Sequence, residues 1–151
     1  MKTMLLILVF FTGFGNGHDN LDLEVVRQNY RTAVSNKMLC HSMIESLKTN
    51  DDKNVCLAYL GAYQTVWANH VLSPITKLST FNEGKKNIEL AIKKDPANLE
   101  LRFIRLSVQK NAPSFLGYNK QKSEDEIFLR KNKKKIQSSV LLNMVNNLLN
   151  D

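Results

Sequence analysis

The scarcity of helix-breaking residues most constrains how this chain can fold. Only 3 prolines and 6 glycines occur in its 151 residues, and three of those glycines lie within the first 17. Proline breaks and glycine weakens the interior of a helix, so their scarcity permits long helices. No stretch shows the sustained apolar–polar alternation that is typical of a strand. The sequence therefore predicts an all-α fold.

The N-terminal segment has the pattern of a cleavable secretory signal. Lys2 supplies a positive charge, residues 4–11 form an unbroken apolar run, and glycines recur over residues 13–17. A membrane anchor is the alternative, but this run spans roughly 12 Å as a helix, far short of the ~30 Å hydrocarbon core. We therefore expect export to the periplasm or cell envelope, with residues 1–17 removed and residues 18–151 forming a single helical domain.

The chain is basic, with a formal charge of +7. Such a charge can indicate nucleic-acid binding, but an exported protein rarely meets nucleic acid, so we expect no such partner. Anionic lipid headgroups, envelope polymers or an acidic protein are the partners that the charge favours. No later segment is long and apolar enough to predict a stable membrane span.

Apolar residues recur at helical spacing in about five to six segments. Residues 22–47 form the first, with Ser35-Asn36 as a candidate interruption, and the second, residues 55–71, is apolar over much of its circumference. A helix of that kind is buried on more than one side. We therefore expect residues 55–71 to form the central helix.

Local signals predict where the later helices begin and end. Pro74 ends the central helix, a loop runs through Ser79, and a capping box at residues 80–83 begins the next helix. Asn98 is a plausible N-cap for another helix. A second capping box, at residues 123–126, begins a last helix that runs towards the C-terminus.

One part of the chain resembles a tetratricopeptide repeat. Residues 84–98 are similar to the second helix and closing turn of such a repeat, and residues 57–61 to the start of its first helix. The positions that carry the match are Gly84, Ile88, Ala91 and Pro96. The spacing exceeds the standard repeat by about eleven residues, much of which residues 73–79 account for. The resemblance implies TPR-like stacked antiparallel helical hairpins.

A second resemblance covers three separate segments. Residues 73–78, 101–106 and 113–118 are similar to segments of small exported helical proteins from Bacteroidetes bacteria, a family without an assigned activity. The resemblance implies a bacterial envelope address and supports a helical fold. It carries over no catalytic residue.

The two cysteines raise the question of a disulfide, because exported proteins often contain them. If the helices on either side of residues 49–53 form a hairpin, Cys40 lies level with a residue near position 63. Cys56 is then roughly 10 Å away along the axis, whereas bridged Cα atoms lie within ~7 Å. We therefore expect Cys40 and Cys56 to be free.

No motif in the sequence predicts a reaction. The three histidines, His18, His41 and His70, lack the closely spaced ligand pairs of a zinc site, and His70 is expected to be a helix-end residue with a satisfied ring. A Gly-rich phosphate loop, an HExxH motif and a GxSxG motif do not occur. We therefore predict no catalytic residue, no metal site and no cofactor.

Two features are candidates for binding. The loop at residues 112–118 is unusually apolar, and in the simpler interpretation its side chains fold back to cover helix ends. In the functional interpretation it is the rim of a groove, with candidate binding residues Trp67, Lys77, Phe115, Leu116 and Tyr118. A basic cluster is either a solvated helix face or an anionic-surface patch, and it consists of Arg130, Lys131, Lys133, Lys134 and Lys135.

The leading functional prediction is a non-enzymatic module of the cell envelope that binds an unknown protein or peptide. It rests on analogy with helical-hairpin stacks, which commonly present such a groove. The alternative is a small envelope enzyme or ligand carrier, with a pocket near Trp67, His70 and Phe115.

Overall fold

The computed structural model describes residues 21–150, and within that range the protein is all-helical, as the sequence predicts. The signal-peptide prediction and His18 lie outside the described residues. The described range contains seven α-helices: α1 Leu23–Thr32, α2 Lys37–Lys48, α3 Asn54–His70, α4 Pro74–Lys94, α5 Leu99–Asn111, α6 Lys122–Asn132 and α7 Ser139–Asn150. Two short 3-10 turns occur at Ser114–Leu116 and Lys133–Lys135.

The helix count exceeds the predicted five to six because the predicted last helix is broken. Three consecutive lysines form the 3-10 turn at Lys133–Lys135, and Ile136 then adopts extended backbone. The Ser138 hydroxyl accepts a hydrogen bond from the Leu141 N–H at 3.1 Å, which caps the start of a separate helix. The earlier interruption at Ser35-Asn36 is confirmed, since Asn36 caps α2.

The predicted loop after Pro74 is wrong, because residues 74–79 form the first turns of α4. Ser73 is the N-cap of this helix and accepts from the Thr76 N–H at 3.4 Å. Pro74 follows it inside the first turn, where a missing backbone donor costs nothing. The predicted capping box therefore lies inside α4, and its Glu83 accepts a hydrogen bond from Gln64 of α3 instead.

The second predicted capping box also lies inside a helix. Helix α6 begins at Lys122, one residue before Ser123, and its N-cap, Gln121, forms no side-chain hydrogen bond. Asn98, by contrast, caps α5 as predicted and accepts from the N–H groups of Glu100 and Leu101.

Helix α3 is central, as predicted, and packs against α1, α2, α4 and α5. Its most extensive partner is α4, which runs antiparallel to it after a three-residue connection. Where the two helices meet, Gly61 and Gly84 face each other. A Cβ atom added to either glycine would lie 2.4 Å from the carbonyl oxygen of the other. The two backbones are therefore in contact, and only glycine leaves room for that approach.

Helices α2 and α3 form a second antiparallel pair in the predicted register. The Cys40 thiol lies 3.5 Å from the carbonyl oxygen of Tyr63, to which it donates. Cys40 and Cys56 are both free and buried. Burial raises the pKa of Cys40 to about 11, so this thiol is not activated as a nucleophile.

Candidate functional site

The described part of the chain forms a half-open cleft of about 950 Å³. Its walls are the C-terminal end of α1, one face of α3, the start of α4, the end of α5 with the 3-10 turn after it, and α7. Segments from α1 to α7 thus converge on one concave site. Its volume lies within the range of roughly 300–1,000 Å³ that is typical of ligand pockets.

Tyr30 belongs to the lining of this cleft and is held from several sides. Its ring contacts Tyr59 and Tyr63 edge-on, with centroids 6.0 and 5.5 Å away. Its hydroxyl lies 3.2 Å from the Ser107 Oγ. Burial raises the pKa of Tyr30 to about 12, which the hydrogen bond to Ser107 only partly offsets. The phenol is therefore neutral at physiological pH and cannot serve as a general base there.

The rim of the cleft carries large apolar side chains that face water. Phe115 is 84% exposed, Val34 is 55% exposed and Leu78 is 50% exposed. Phe115 occupies the middle of the 3-10 turn, which ends at Gly117 with a φ of 63°. Glycine adopts this left-handed conformation without strain. The turn therefore presents Phe115 outward in a defined place.

The simpler interpretation of this loop, in which its side chains fold back to cover helix ends, is wrong for Phe115. Leu116, the next residue, is partly buried and packs against the core, whereas most of the Phe115 side chain faces solvent. The turn is fixed through Leu116 and displays Phe115 to solvent.

The charged side chains that line the cleft are all positive. Among the described residues that line it, the charged side chains are Arg31 and Lys77, and there is no carboxylate, histidine or cysteine. Both are exposed, and neither forms a salt bridge within the described chain. The site can attract an anionic group, but it lacks the paired acid and base of proton-transfer catalysis.

Three of the five predicted binding residues lie together in this cleft: Lys77, Phe115 and Leu116. Tyr118 does not line it. Its side chain is buried beside Phe81, and its hydroxyl donates to Glu89 at 2.6 Å. Burial, followed by that hydrogen bond, raises the pKa of Tyr118 well above its usual value. Tyr118 is thus a core residue.

Trp67 also lies outside the cleft lining. Its ring sits beside His41 and His70, with centroids 5.4 and 5.9 Å away, and the Lys37 ammonium is 5.4 Å from its centroid. His70 Nε2 lies 3.0 Å from the carbonyl oxygen of Ala33, so its ring is satisfied at the helix end as predicted. The lining of this cleft therefore includes Phe115 but neither Trp67 nor His70.

Several cleft residues were not predicted. Val34 falls on an apolar stripe of the first helix, which indicated core, and Leu78 falls in a segment predicted as loop. Recognising Pro74 as the first-turn residue of a helix would have placed Leu78 one turn beyond Pro74. Met144 and Leu148 of α7 also line the cleft, and no sequence signal distinguishes them from core residues.

Buried ion pairs connect the helices outside the cleft. Arg27 of α1 donates from Nε and Nη2 to Glu100 of α5 at 2.7 and 2.6 Å, and Tyr59 of α3 donates to the same carboxylate at 2.9 Å. The hydrogen bond to Glu100 raises the pKa of Arg27 above its usual value. These contacts tie three helices together.

The second buried pair joins α5 to α6. Arg105 donates from Nε and Nη2 to Asp125 at 2.6 and 2.8 Å, and Asp125 is fully buried. Burial lowers the pKa of Arg105, but the hydrogen bond and charge of Asp125 more than reverse this effect. The sequence had suggested only that Asp125 favours the positive end of a helix dipole.

The predicted anionic-surface patch is divided by internal contacts. Arg130 donates to Glu126 and to the carbonyl oxygen of Leu149, and Lys133 donates to the Asn146 side chain. The other three lysines, Lys131, Lys134 and Lys135, are exposed. Part of the cluster therefore stabilises the packing of α7, and part of it faces solvent.

Residues 21–150 contain no group of three or more His, Cys, Asp or Glu side chains that could hold a metal ion. In the same part of the chain, no helix combines the length and apolar character needed to cross a bilayer.

Comparison with protein-family models, with curated proteins and with solved structures gives no match to this chain.

Proposed function

We propose that this protein is an exported, non-enzymatic binding module of a bacterial cell envelope, and that its cleft captures a segment of another protein or a peptide. In this proposal the helical hairpins stack in a TPR-like manner, and the chain is related to the small exported Bacteroidetes proteins that it resembles. The α3–α4 and α2–α3 antiparallel pairs support the stacked arrangement.

The observation that carries the proposal is the exposure of Phe115 at the mouth of an apolar cleft. A phenylalanine that is 84% exposed contributes little to folding, because the hydrophobic effect scales with the apolar area removed from water. Its neighbour Leu116 shows that the same turn can bury an apolar side chain. Apolar surface around a concave site marks interaction surfaces, so a partner that covers Phe115 explains the arrangement.

A small-molecule carrier is the second candidate, and the volume of the cleft favours it. In that case the ligand would lie between α1 and α7 instead of near Trp67 and His70. A carrier holds a small molecule against the cleft lining, which includes Phe115, whereas a protein partner covers Phe115 with its own residues. The two functions are therefore separated by what contacts residue 115 in the cell envelope.

Photo-crosslinking from position 115 tests the proposal. We expect a photoreactive phenylalanine analogue at this position to give a discrete covalent complex in native envelopes. The same analogue in place of Ile127, which is 67% exposed on α6 and outside the cleft, is the matched control and should give no such complex. Equal products from both positions, or none from position 115, would contradict the proposal.

The same purified complex tests export. Mass spectrometry of its N-terminal peptide is expected to show a mature chain that begins after the small residues at positions 13–17. An envelope protein that retains Lys2 would disprove cleavage.

A further inference from the structure

We infer that the occupant of the cleft is an amphipathic helix with acidic side chains beside its apolar stripe. This inference rests on the proposed function and names the chemistry of the partner. Three features of the site support it: the sign of its charge, the extent of its apolar rim and the helical character of its walls.

The charge selects for an acidic partner. Arg31, at the end of α1, and Lys77, in the first turns of α4, are exposed in the cleft lining without a salt-bridge partner in the described chain. No lining carboxylate offsets them. A partner carboxylate that approaches these cations gains Coulomb energy, whereas a partner lysine is repelled. Complementary charges of this kind set specificity and association rate.

The apolar rim extends further than a small ligand could cover. Ile75 is 83% exposed and Leu72 is 96% exposed, and neither belongs to the cleft lining. Ile75 and Leu78 are three residues apart on α4, so they lie on one face of that helix. A ligand confined to the cleft would leave Leu72 and Ile75 in water, whereas a helix that runs across the mouth can cover them.

The walls favour a helical occupant over an extended one. The walls of the cleft are helices, a 3-10 turn and short connections beside them, and the backbone groups of helices are already paired internally. These walls offer no strand edge to which an extended peptide could pair. A bound helix satisfies its own backbone hydrogen bonds and needs only side-chain contacts, which is the helix-in-groove mode of recognition.

Designed peptides test the inference with the full chain. The probe is a fluorescein-labelled helix of about 18 residues with leucines at helical spacing and glutamates on both flanks. Two matched peptides carry glutamine or lysine in place of glutamate. Fluorescence polarisation is expected to show binding of the glutamate peptide at least about tenfold tighter than that of the glutamine peptide. The lysine peptide should bind most weakly, and the differences should shrink as salt is raised.

Reversing the charges of Arg31 and Lys77 tests whether these two residues cause the preference for the glutamate peptide. An Arg31→Glu/Lys77→Glu variant should reverse the order of the three peptides. The control, Lys86→Glu/Lys120→Glu, makes the same change in net charge at exposed positions outside both the cleft and the basic cluster and should keep the order. Because all four side chains are exposed, thermal melting is expected to show little change.

The possible failures are distinguishable. Equal binding of all three peptides, or an equal effect of both double variants, would overturn the acidic partner while leaving protein binding at the cleft intact. Displacement of the glutamate peptide by one equivalent of oleate, with no crosslink from position 115, would point to a small-molecule carrier and overturn both the inference and the proposed function.

Discussion

Replacing Gly61 with valine is expected to lower the melting temperature by about 10 °C or more, corresponding to a loss of more than about 3 kcal/mol. An added Cβ would lie 2.4 Å from the Gly84 carbonyl oxygen and 2.9 Å from the Ile88 Cγ1. The backbone oxygen cannot move without separating α3 from α4, which form the most extensive helix pair. The larger valine side chain requires still more separation.

Gly61→Ala distinguishes this steric effect from helix propensity. Alanine favours a helix interior over glycine by about 1 kcal/mol, so propensity alone predicts a more stable protein. Contact with Gly84 predicts a less stable one, because the alanine Cβ is the clashing atom itself. Thermal unfolding followed by circular dichroism measures both variants. An alanine variant as stable as the wild type would show that the helices are not in backbone contact here.

Replacing Asp125 with alanine is expected to destabilise the protein by about 3–5 kcal/mol. Asp125 is fully buried and accepts two hydrogen bonds from Arg105, whose side chain is 5% exposed. Removing the carboxylate leaves Arg105 with Glu89 as its remaining salt-bridge partner, at 3.2 Å. A buried guanidinium that loses its main counterion costs far more than a lost surface contact.

Two variants act as controls for this prediction. Glu124 is adjacent to Asp125 but 62% exposed, where it accepts from Arg102, so Glu124→Ala should cost less than about 1 kcal/mol. An Arg105→Met/Asp125→Leu double variant removes both charges and should be more stable than Asp125→Ala. Urea unfolding measures the free energy of unfolding of Asp125→Ala, Glu124→Ala and the double variant. A double variant less stable than Asp125→Ala would show that the unpaired Arg105 charge is not the cause of the loss.

Helical patterning was sufficient to predict the fold class, the central position of α3 and the register that places Cys40 beside Tyr63. These features follow from periodicity and from the rise per residue of a helix. Helix starts were less predictable. Ser73-Pro74 can end one helix or begin another, and the deciding contacts between α3 and α4 come from residues remote in sequence.

The cleft could be predicted only in part. The apolar loop indicated Phe115 and Leu116 because loops seldom carry such side chains. Trp67 and Tyr118 carry the same apolar character, yet they pack elsewhere. Which apolar residues line a cleft depends on how α1, α4 and α7 come together. Contacts between residues remote in sequence, such as Arg27 of α1 with Glu100 of α5, which are 73 residues apart, help to position these helices.

The most direct test of the binding proposal is the dissociation constant of Phe115→Asp for the partner crosslinked at position 115, measured beside its melting temperature. We expect affinity to fall by at least about 30-fold, as for an interface hot spot, with a melting temperature close to that of the wild type because Phe115 is 84% exposed. Ile127→Asp should change neither value. Unchanged affinity, or a loss matched by unfolding of the protein, would contradict a binding role for the cleft.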